Sequence, residues 1–532
     1  MAYRPGFVLE VDRATPPTLF WYGEGFRLER LPAGSRVVYP PDPLPAVRDA
    51  RAAIRDALAH PIDAEPLEAL LFPGMRLTIA FDDVSLPLPQ MAAPDVRSLV
   101  IEEVLELAAA KGVEDIQLVA ALALHRRMTE SELRHALGRR VYDALAPRGM
   151  ITQHDAEDKA NMVVVGHTDE GELVELNRRA VESDLLVYVN INLVSMDGGH
   201  KSVATGLASY DSIRHHHNVT TMVHSRSFMD RHNSQLHSSN WRMGRLIARS
   251  GIRIFQIETT LNTNTFPSSF RFLNRREWEW DLRDRASYVA VAESLRRTPP
   301  HLAREIFHRV RSPYGLTGVA AGEVEAVHEQ TIERVYRQQL VPVEGQADIL
   351  TMGLPFVGPY NVNSIMNPIL VYCLGLGYLF NMYRGRPLVR RGGVLIMAHP
   401  TRPEFDPAFH PSYIDFYDQV LSETTDPLVI EAKYEESFAR DPWYIHLYRT
   451  QNAYHGVHPF YMWYWGAHAL DHLGGVIILG GDPKTARRLG FQAASTLDDA
   501  LEMARSIVGP NPSITHLHSP PLVMADVSEG QR

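Results

Sequence analysis

Short apolar runs alternate with amphipathic stretches, and this alternation limits most strongly how the chain can fold. Residues 76–81 form a strand-like run, residues 96–111 have helical apolar spacing ended by Gly112, and residues 116–122 form the next strand-like run. Thr129 followed by Glu132 is typical of a helix start, because each side chain can accept a backbone hydrogen bond from the other residue. The β-α-β order predicts an α/β fold with mainly parallel sheets.

Two polar residues follow predicted strands directly. Asp83 comes after the first run and His125 after the next. Ligands of parallel sheets bind beyond the carboxyl ends of the strands, so we expect both side chains at a binding edge. A histidine there can take or give a proton near neutral pH. Lys201 follows its own predicted strand, residues 185–189, at a longer interval.

The length predicts more than one core. The chain has 532 residues, of which 45% are hydrophobic and 22% charged. This is ordinary globular composition. We expect an N-terminal cofactor-binding and catalytic α/β domain over residues 1–341, a linker at residues 342–346, a second α/β domain over residues 347–510, and a C-terminal tail over residues 511–532.

Charge and composition exclude several classes of partner. The formal net charge is −10, and no long basic run is present, so we expect no nucleic-acid partner. The single cysteine, Cys373, permits neither an internal disulfide nor a thiolate cluster. The N-terminus lacks a signal-like apolar core, and the apolar stretch near residues 369–380 is too short to span a bilayer. We therefore expect a soluble cytoplasmic protein without a membrane partner.

A lysine and a histidine triplet indicate cofactor and metal binding. Gly198 and Gly199 precede His200 and Lys201, and the run from His215 to His217 ends sixteen residues after that lysine. Glycines let a lysine approach a flat cofactor, because they have no Cβ. A neutral imidazole is a good ligand for nickel, zinc, copper or iron. Taken alone, however, such a turn is usually only a turn, and such a triplet is usually solvated.

In order and spacing, these motifs resemble the nickel-pincer lactate racemase family. That family has an Asp-x-Thr-Arg-Pro strand end, a Gly-x-His-Arg strand end and a Ser-Gly-Gly-x-Lys turn, with a histidine sixteen residues beyond the lysine. Asp83 and Ser85 match the first motif, and His125 and Arg126 match the second. The resemblance extends over most of the chain, and it implies two α/β domains with the active site in the cleft between them.

The resemblance also implies roles for individual residues. His125 would remove the proton of a substrate hydroxyl, and Lys201 would lie against, or be joined to, the pyridinium-3-thioamide-5-thiocarboxylic acid mononucleotide that carries nickel. His217 would ligate the nickel. Cofactor-synthesis proteins are implied as partners. The further residues expected to bind the cofactor are Asp83, Ser85, Gly198, Gly199 and Arg126.

Departures from the family pattern argue against lactate as the substrate. Leu86 stands where the family has arginine, Ile191 where it has a second catalytic histidine, and Met366 and Ile369 align with a glutamine and a lysine that contact the substrate carboxylate. Losing one charged contact to a carboxylate costs about 2–4 kcal/mol. We therefore expect a racemase or epimerase of another 2-hydroxy acid or a sugar acid.

The missing second histidine leaves several outcomes open. His200 can serve from a shifted position, the enzyme can act on one face of the substrate only, or the fold can bind a cofactor without catalysis. A metal-dependent hydrolase that uses His125 and the run from His215 to His217 is a further alternative.

Overall fold

The computed structural model describes residues 3–86 and 88–529. In these residues the strands, in chain order, are β1 (Phe7–Glu10), β2 (Thr18–Gly23), β3 (Gly25–Glu29), β4 (Arg36–Tyr39), β5 (Arg76–Asp82), β6 (Asp115–Ala121), β7 (Ile151–Gln153), β8 (Met162–His167), β9 (Leu173–Asn177) and β10 (Leu185–Asn192). The later strands are β11 (Ile254–Leu261), β12 (Leu316–Gly322), β13 (Leu340–Glu344), β14 (Ala347–Pro355), β15 (Tyr383–Arg384), β16 (Val389–Ala398), β17 (Gly475–Leu479), β18 (Gln492–Ala494), β19 (Ile514–Leu517) and β20 (Met524–Ser528).

The α-helices of the first half are α1 (Ala50–Ala59), α2 (Leu67–Leu70), α3 (Val96–Ala110), α4 (Glu130–Leu145), α5 (Arg178–Val181), α6 (Lys201–Gly206), α7 (Tyr210–Ile213), α8 (Val219–His224), α9 (Gln235–Arg249), α10 (Leu282–Arg297), α11 (Pro300–His308) and α12 (Val324–Gln339). Those of the second half are α13 (Pro368–Tyr372), α14 (Pro411–Asp415), α15 (Leu421–Glu423), α16 (Pro427–Ile430), α17 (Glu436–Ala439), α18 (Pro442–Thr450), α19 (His458–Tyr464), α20 (Ala467–His472), α21 (Pro483–Arg488) and α22 (Leu497–Val508). Three π-helical segments extend these helices, at Cys373–Leu379, Phe416–Val420 and Glu431–Glu435.

The first large sheet has the strand order β12-β11-β10-β5-β6-β7. Its strands are parallel except for β12, which runs antiparallel to β11. The predicted strands and the helices between them are present here. Thr129 and Glu132 form the predicted capping box at the start of α4. The carboxyl ends of β5, β6 and β10 therefore meet at one edge of this sheet.

The second large sheet has the order β1-β4-β19-β14-β16-β17-β18, and β2 and β3 are attached to it through β14. The pairings of β14 with β16, β16 with β17 and β17 with β18 are all parallel. The two sheets confirm the predicted α/β class with mainly parallel strands.

The sheets do not follow the expected domain boundaries. The N-terminal strands β1 to β4 belong to the sheet of the C-terminal half, and the expected tail contributes β19 to that sheet and β20 to a smaller one. The expected linker forms most of β13, which pairs with β20 along one edge only, so Pro342 is tolerated there. Apolar alternation predicts that a strand exists but not which strand it pairs with, and this explains the difference.

Cys373 is buried with 1% of its surface exposed, as expected for a small apolar side chain. Among the residues described, none of the helices has the length and apolar character needed to cross a membrane.

Candidate functional site

A cavity of about 120 Å³ lies at the carboxyl edge of the first sheet. Asp82, Ala121 and Ile191 line it from the ends of β5, β6 and β10, while Tyr360 and Tyr378 line it from the second half of the chain. The cavity therefore lies between the two halves, where the resemblance places the active site. Its position follows from topology, because parallel strands deliver their following residues to the same edge.

Asp83, Ser85 and His125 form one hydrogen-bonded group in this cavity. The His125 Nδ1 lies 2.9 Å from the Asp83 Oδ2, and the Ser85 hydroxyl donates to the same oxygen at 3.0 Å. Burial opposes ionisation of Asp83, but the His125 imidazole and the Ser85 hydrogen bonds outweigh it and hold the pKa of this carboxyl below its usual value. An Asp83 carboxylate fixes the proton of His125 on Nδ1, which leaves the Nε2 lone pair free to act as a base.

A second carboxylate, Asp82, lines the same cavity. Its Oδ2 accepts from the Ile191 N–H at 2.7 Å, and its Oδ1 accepts from the Asn190 amide at 2.9 Å. Burial nevertheless raises the pKa of Asp82 to about 7. Burial also raises the pKa of Asp197, and the Lys201 ammonium opposes that shift. The cavity thus holds carboxyl groups with very different affinities for a proton.

Lys201 begins α6 and lines the cavity. Within residues 3–86 and 88–529, its amine makes no side-chain hydrogen bond or ion pair, so it is available to a ligand. Gly198 and Gly199 before it adopt φ angles of +88° and +60°. A Cβ on Gly198 would lie 2.4 Å from the Glu258 Oε1. The conformation of the turn and its contact with Glu258 therefore require these glycines, independently of any cofactor.

His217 and His216 form a buried pair after α7. Their Nδ1 atoms are 2.7 Å apart, so one ring donates to the other. Burial lowers the pKa of His216 to about 3 and that of His217 well below its usual value. Both imidazoles are therefore neutral, which is the form that binds metals. The His217 Nε2 is the nitrogen that this pairing leaves for a metal, whereas His215 is only half-buried.

The structure does not bring His200 or Arg126 into the cavity. His200 lines a neighbouring cavity with His237 and His328. Arg126 is buried in a two-pronged ion pair with Glu132, at 2.7 and 2.9 Å, so its charge is already compensated. The motifs single out His200 and Arg126 in the sequence, but they do not predict which way the two side chains point.

The sequence reasoning missed a group of polar side chains on and just after α19. The His458 Nε2, the Tyr461 hydroxyl and the Trp465 Nε1 are buried and have no hydrogen-bond partner among the described residues. The His458 ring lies 5.5 Å from the His125 ring, and the Tyr461 ring lies 5.3 Å from the His217 ring. Their spacing of i, i+3 and i+7 puts them on one helix face. In the sequence this aromatic run is indistinguishable from a core helix.

Comparisons with known proteins show which proteins the N-terminal part of the chain resembles. Residues 22–230 match the family of the lactate racemase N-terminal domain. The lactate racemase of Thermoanaerobacterium thermosaccharolyticum is 27% identical over 169 residues, and that of Lactiplantibacillus plantarum is 27% identical over 180 residues. Each match covers 31% of this chain and 37% of the relative, so the match spans well under half the length of these relatives.

The folds agree over a longer range. The apoprotein structure of the T. thermosaccharolyticum lactate racemase matches with a TM-score of 0.61 and 18% identity, over 96% of this chain and 99% of that chain. Residues 22–230 are thus similar to the lactate racemase N-terminal domain, and the chain shares its fold with that apoprotein. His125, Lys201 and His217 lie inside the matched N-terminal region, whereas α19 lies outside it.

Proposed function

We propose that this protein is a racemase or epimerase of a 2-hydroxy acid or sugar acid other than lactate. In this proposal it uses a nickel-pincer nucleotide, which cofactor-synthesis proteins supply. The observation that carries the proposal is one cavity lined by an Asp83-supported His125 and by the unpaired amine of Lys201. His217 does not line this cavity itself; it is buried, and its burial lowers its pKa well below the usual value.

The side chains fit the proposed cofactor. The Lys201 amine is free to pair with, or be joined to, an acidic group. The His217 Nε2 is a neutral nitrogen donor, and sulfur groups of the cofactor are themselves good nickel ligands, so one protein ligand is enough. When bound, the cofactor would supply reversible acceptance of a hydride from C2 of the substrate.

His125 performs the proton step in this proposal. Its Nε2 takes the proton of the substrate hydroxyl, while its Nδ1–H stays bonded to Asp83. The imidazolium that forms is stabilised by the adjacent carboxylate at 2.9 Å. The proton returns to the oxygen at the end of the reaction, so His125 is unchanged over one turnover.

The cavity wall supports a substrate other than lactate. Leu86 and Ile191 contribute apolar surface where the resembled family has charged or ionisable groups. Met366 and Ile369, which align with the carboxylate-contacting residues, are buried and absent from the cavity lining. Tyr360 and Tyr378 instead present phenol groups, whose hydroxyls are 2.8 Å apart. Such a wall suits a substrate with additional hydroxyl or aromatic groups.

No observation favours the two alternative functions. The hydrolase would need several protein ligands for its metal, and the described residues contain no group of three or more His, Cys, Asp or Glu side chains placed to hold one. A non-catalytic cofactor-binding protein would have no need for the Asp83 and His125 pair.

The test begins with protein made together with the cofactor-synthesis proteins. We expect about one nickel per chain with visible absorbance, and His217→Ala should lose the nickel while the protein stays folded. His215→Ala is the matched control and should keep it. Full nickel retention by His217→Ala would overturn the ligand assignment. Zinc without visible absorbance would support the hydrolase, and a nickel-loaded wild type that acts on no 2-hydroxy acid or sugar acid would support a non-catalytic role.

A further inference from the structure

His458 begins α19 as a buried histidine that has one free nitrogen. Only 2% of its surface is exposed. The Tyr413 hydroxyl lies 2.5 Å from its Nδ1, while its Nε2 is buried and has no partner within residues 3–86 and 88–529. Leaving a buried polar atom unpaired costs about 1–3 kcal/mol, so an unpaired nitrogen at a site is a sign of a missing ligand.

The ring that carries the free nitrogen lies beside the proposed base. The His458 and His125 ring centroids are 5.5 Å apart, and the Tyr360 ring, which lines the cavity, is 4.9 Å from His458. An oxygen atom about 2.8 Å from both Nε2 atoms would lie about 4 Å from each ring centroid, and centroids 5.5 Å apart permit this arrangement. The separation of the rings is therefore compatible with one substrate oxygen that contacts both imidazoles.

The two histidines have similar contacts. Each has its Nδ1 at hydrogen-bonding distance from an oxygen of a neighbouring side chain, Asp83 for His125 and Tyr413 for His458. The Tyr413 hydroxyl can accept from an Nδ1–H, which is the tautomer that leaves the Nε2 lone pair of His458 free. Each keeps its Nε2 free of protein partners in the part of the chain that the structure describes. They differ in charge compensation, because only His125 has a carboxylate beside it. Burial, with His125 nearby, lowers the pKa of His458 well below its usual value, so His458 is neutral at rest.

The direction of α19 indicates where a substrate would lie. At its start, His458 contacts His125, the proposed base. One turn on, Tyr461 contacts His217, the proposed nickel ligand, and Trp465 lies 6.1 Å from the same ring. The unpaired face of α19 thus runs from the proton-accepting group to the metal-binding group. A substrate whose hydroxyl contacts His125 and whose C2 hydrogen is directed towards a cofactor held at His217 would lie along this face.

We propose that His458 is a second catalytic histidine, which transfers the hydroxyl proton of the substrate in partnership with His125. This inference rests on the proposed function. Ile191 is apolar and His200 lines another cavity, so neither position supplies a histidine to this cavity.

One proton is shared between the two imidazoles in this scheme, and both Nε2 atoms carry a lone pair at rest. The His125 Nε2 takes the hydroxyl proton as the C–O bond becomes a carbonyl and the C2 hydrogen, with its electron pair, goes to the hydride acceptor that the cofactor would supply. The proton can also be held on the His458 Nε2, because the oxygen lies between the two rings. When the hydrogen returns with its pair to the opposite face of C2, the imidazolium gives the proton back to the oxygen. Both histidines therefore end the turnover as they began, and atoms and charge balance in both directions.

The first test needs no turnover. In nickel-free protein labelled with ¹⁵N-histidine, 2-hydroxyisobutyrate serves as the probe, because it has the hydroxyl and the carboxylate but no C2 hydrogen. We expect the ring signals of both His125 and His458 to shift. The signals of His455 should not shift, because its Nε2 contacts Glu157 at 3.1 Å and its Nδ1 accepts from the Val457 N–H.

The outcomes separate the two proposals. A shift at His125 without one at His458 would overturn the role of His458 and leave the proposed function standing. No shift at either residue would contradict a 2-hydroxy acid site here and remove both proposals.

The second test uses nickel-loaded enzyme and the substrate on which the wild type acts. His458→Gln should keep its nickel and lower kcat by at least about 100-fold, as expected for an acid-base group. In His458→Gly, added 4-methylimidazole should restore part of the rate, which a purely structural role would not allow. His455→Gln is the matched buried control and should stay within about tenfold of wild type. A His458→Gln enzyme with more than about a tenth of the wild-type kcat would refute the inference.

Discussion

Replacing Asp83 by asparagine tests whether the carboxylate sets the proton position of His125. In the structure the carboxylate accepts from Nδ1 at 2.9 Å, and both side chains are largely buried. An asparagine in the same orientation can offer its N–H to Nδ1, which would move the ring proton to Nε2 and block the base. It would also remove the charge that stabilises the imidazolium.

The size of the effect follows from the distance. Two opposite charges 2.9 Å apart attract by on the order of 6 kcal/mol at an effective dielectric constant of about 20, and part of this is offset by desolvation. A net loss of about 3–5 kcal/mol corresponds to a fall of roughly 10²–10⁴-fold in kcat. KM should change little, because Asp83 acts through His125.

The assay compares Asp83→Asn with Ser85→Ala in nickel-loaded enzyme. Ser85 bonds to the same carboxylate at 3.0 Å but carries no charge, so its loss should cost less than about tenfold. The ¹⁵N signal of His125 should show the proton on Nδ1 in the wild type and on Nε2 in Asp83→Asn. If Asp83→Asn keeps more than a tenth of the wild-type kcat, or if the ring proton does not move, the reasoning is refuted.

Three further predictions follow from the cavity and its surroundings. Nickel-loaded enzyme should interconvert D- and L-lactate very slowly or not at all, and rapid interconversion by chiral chromatography would refute the alignment at Leu86 and Ile191. Asp82→Asn should reduce the fall of Tm that accompanies a rise in pH from about 4 to about 7. The pKa of the buried Asp82 carboxyl is about 7 in the folded protein and about 3.9 in the unfolded chain, so its protonated form stabilises the fold at low pH. This stability, up to about 4 kcal/mol, is lost as the pH rises. Arg126→Met should lower the free energy of unfolding by about 3–5 kcal/mol, because it leaves Glu132 buried without its partner, and Glu132→Gln in the same background should restore part of the loss in thermal melts.

The sequence predicted the first sheet and its edge well, because local patterns determine them. The apolar runs gave β5, β6 and β10, and the capping box gave the start of α4. Asp83 and His125 then met at one edge as a consequence of parallel topology. The predicted roles of Lys201 and His217 came from resemblance and spacing, and they stay predictions.

Other features depended on contacts between distant segments. The pairing of β4 with β19 joins residues near both ends of the chain, and no local pattern encodes it. His458 is 333 residues from His125 in the sequence, and its neighbours in the chain are those of an ordinary aromatic core helix. Only the folded arrangement shows that its Nε2 has no partner among the described residues and that its ring lies beside those of His125 and Tyr360.

The fate of the C2 hydrogen tests the central proposal most directly. Nickel-loaded enzyme is given its substrate as a pure stereoisomer with deuterium at C2, in ordinary water, and the inverted product is analysed by mass spectrometry. Hydride transfer returns the same hydrogen to carbon, so the account predicts that the product keeps its deuterium. Loss of the deuterium to water during inversion would show that a base removes a proton from carbon, and it would contradict the account.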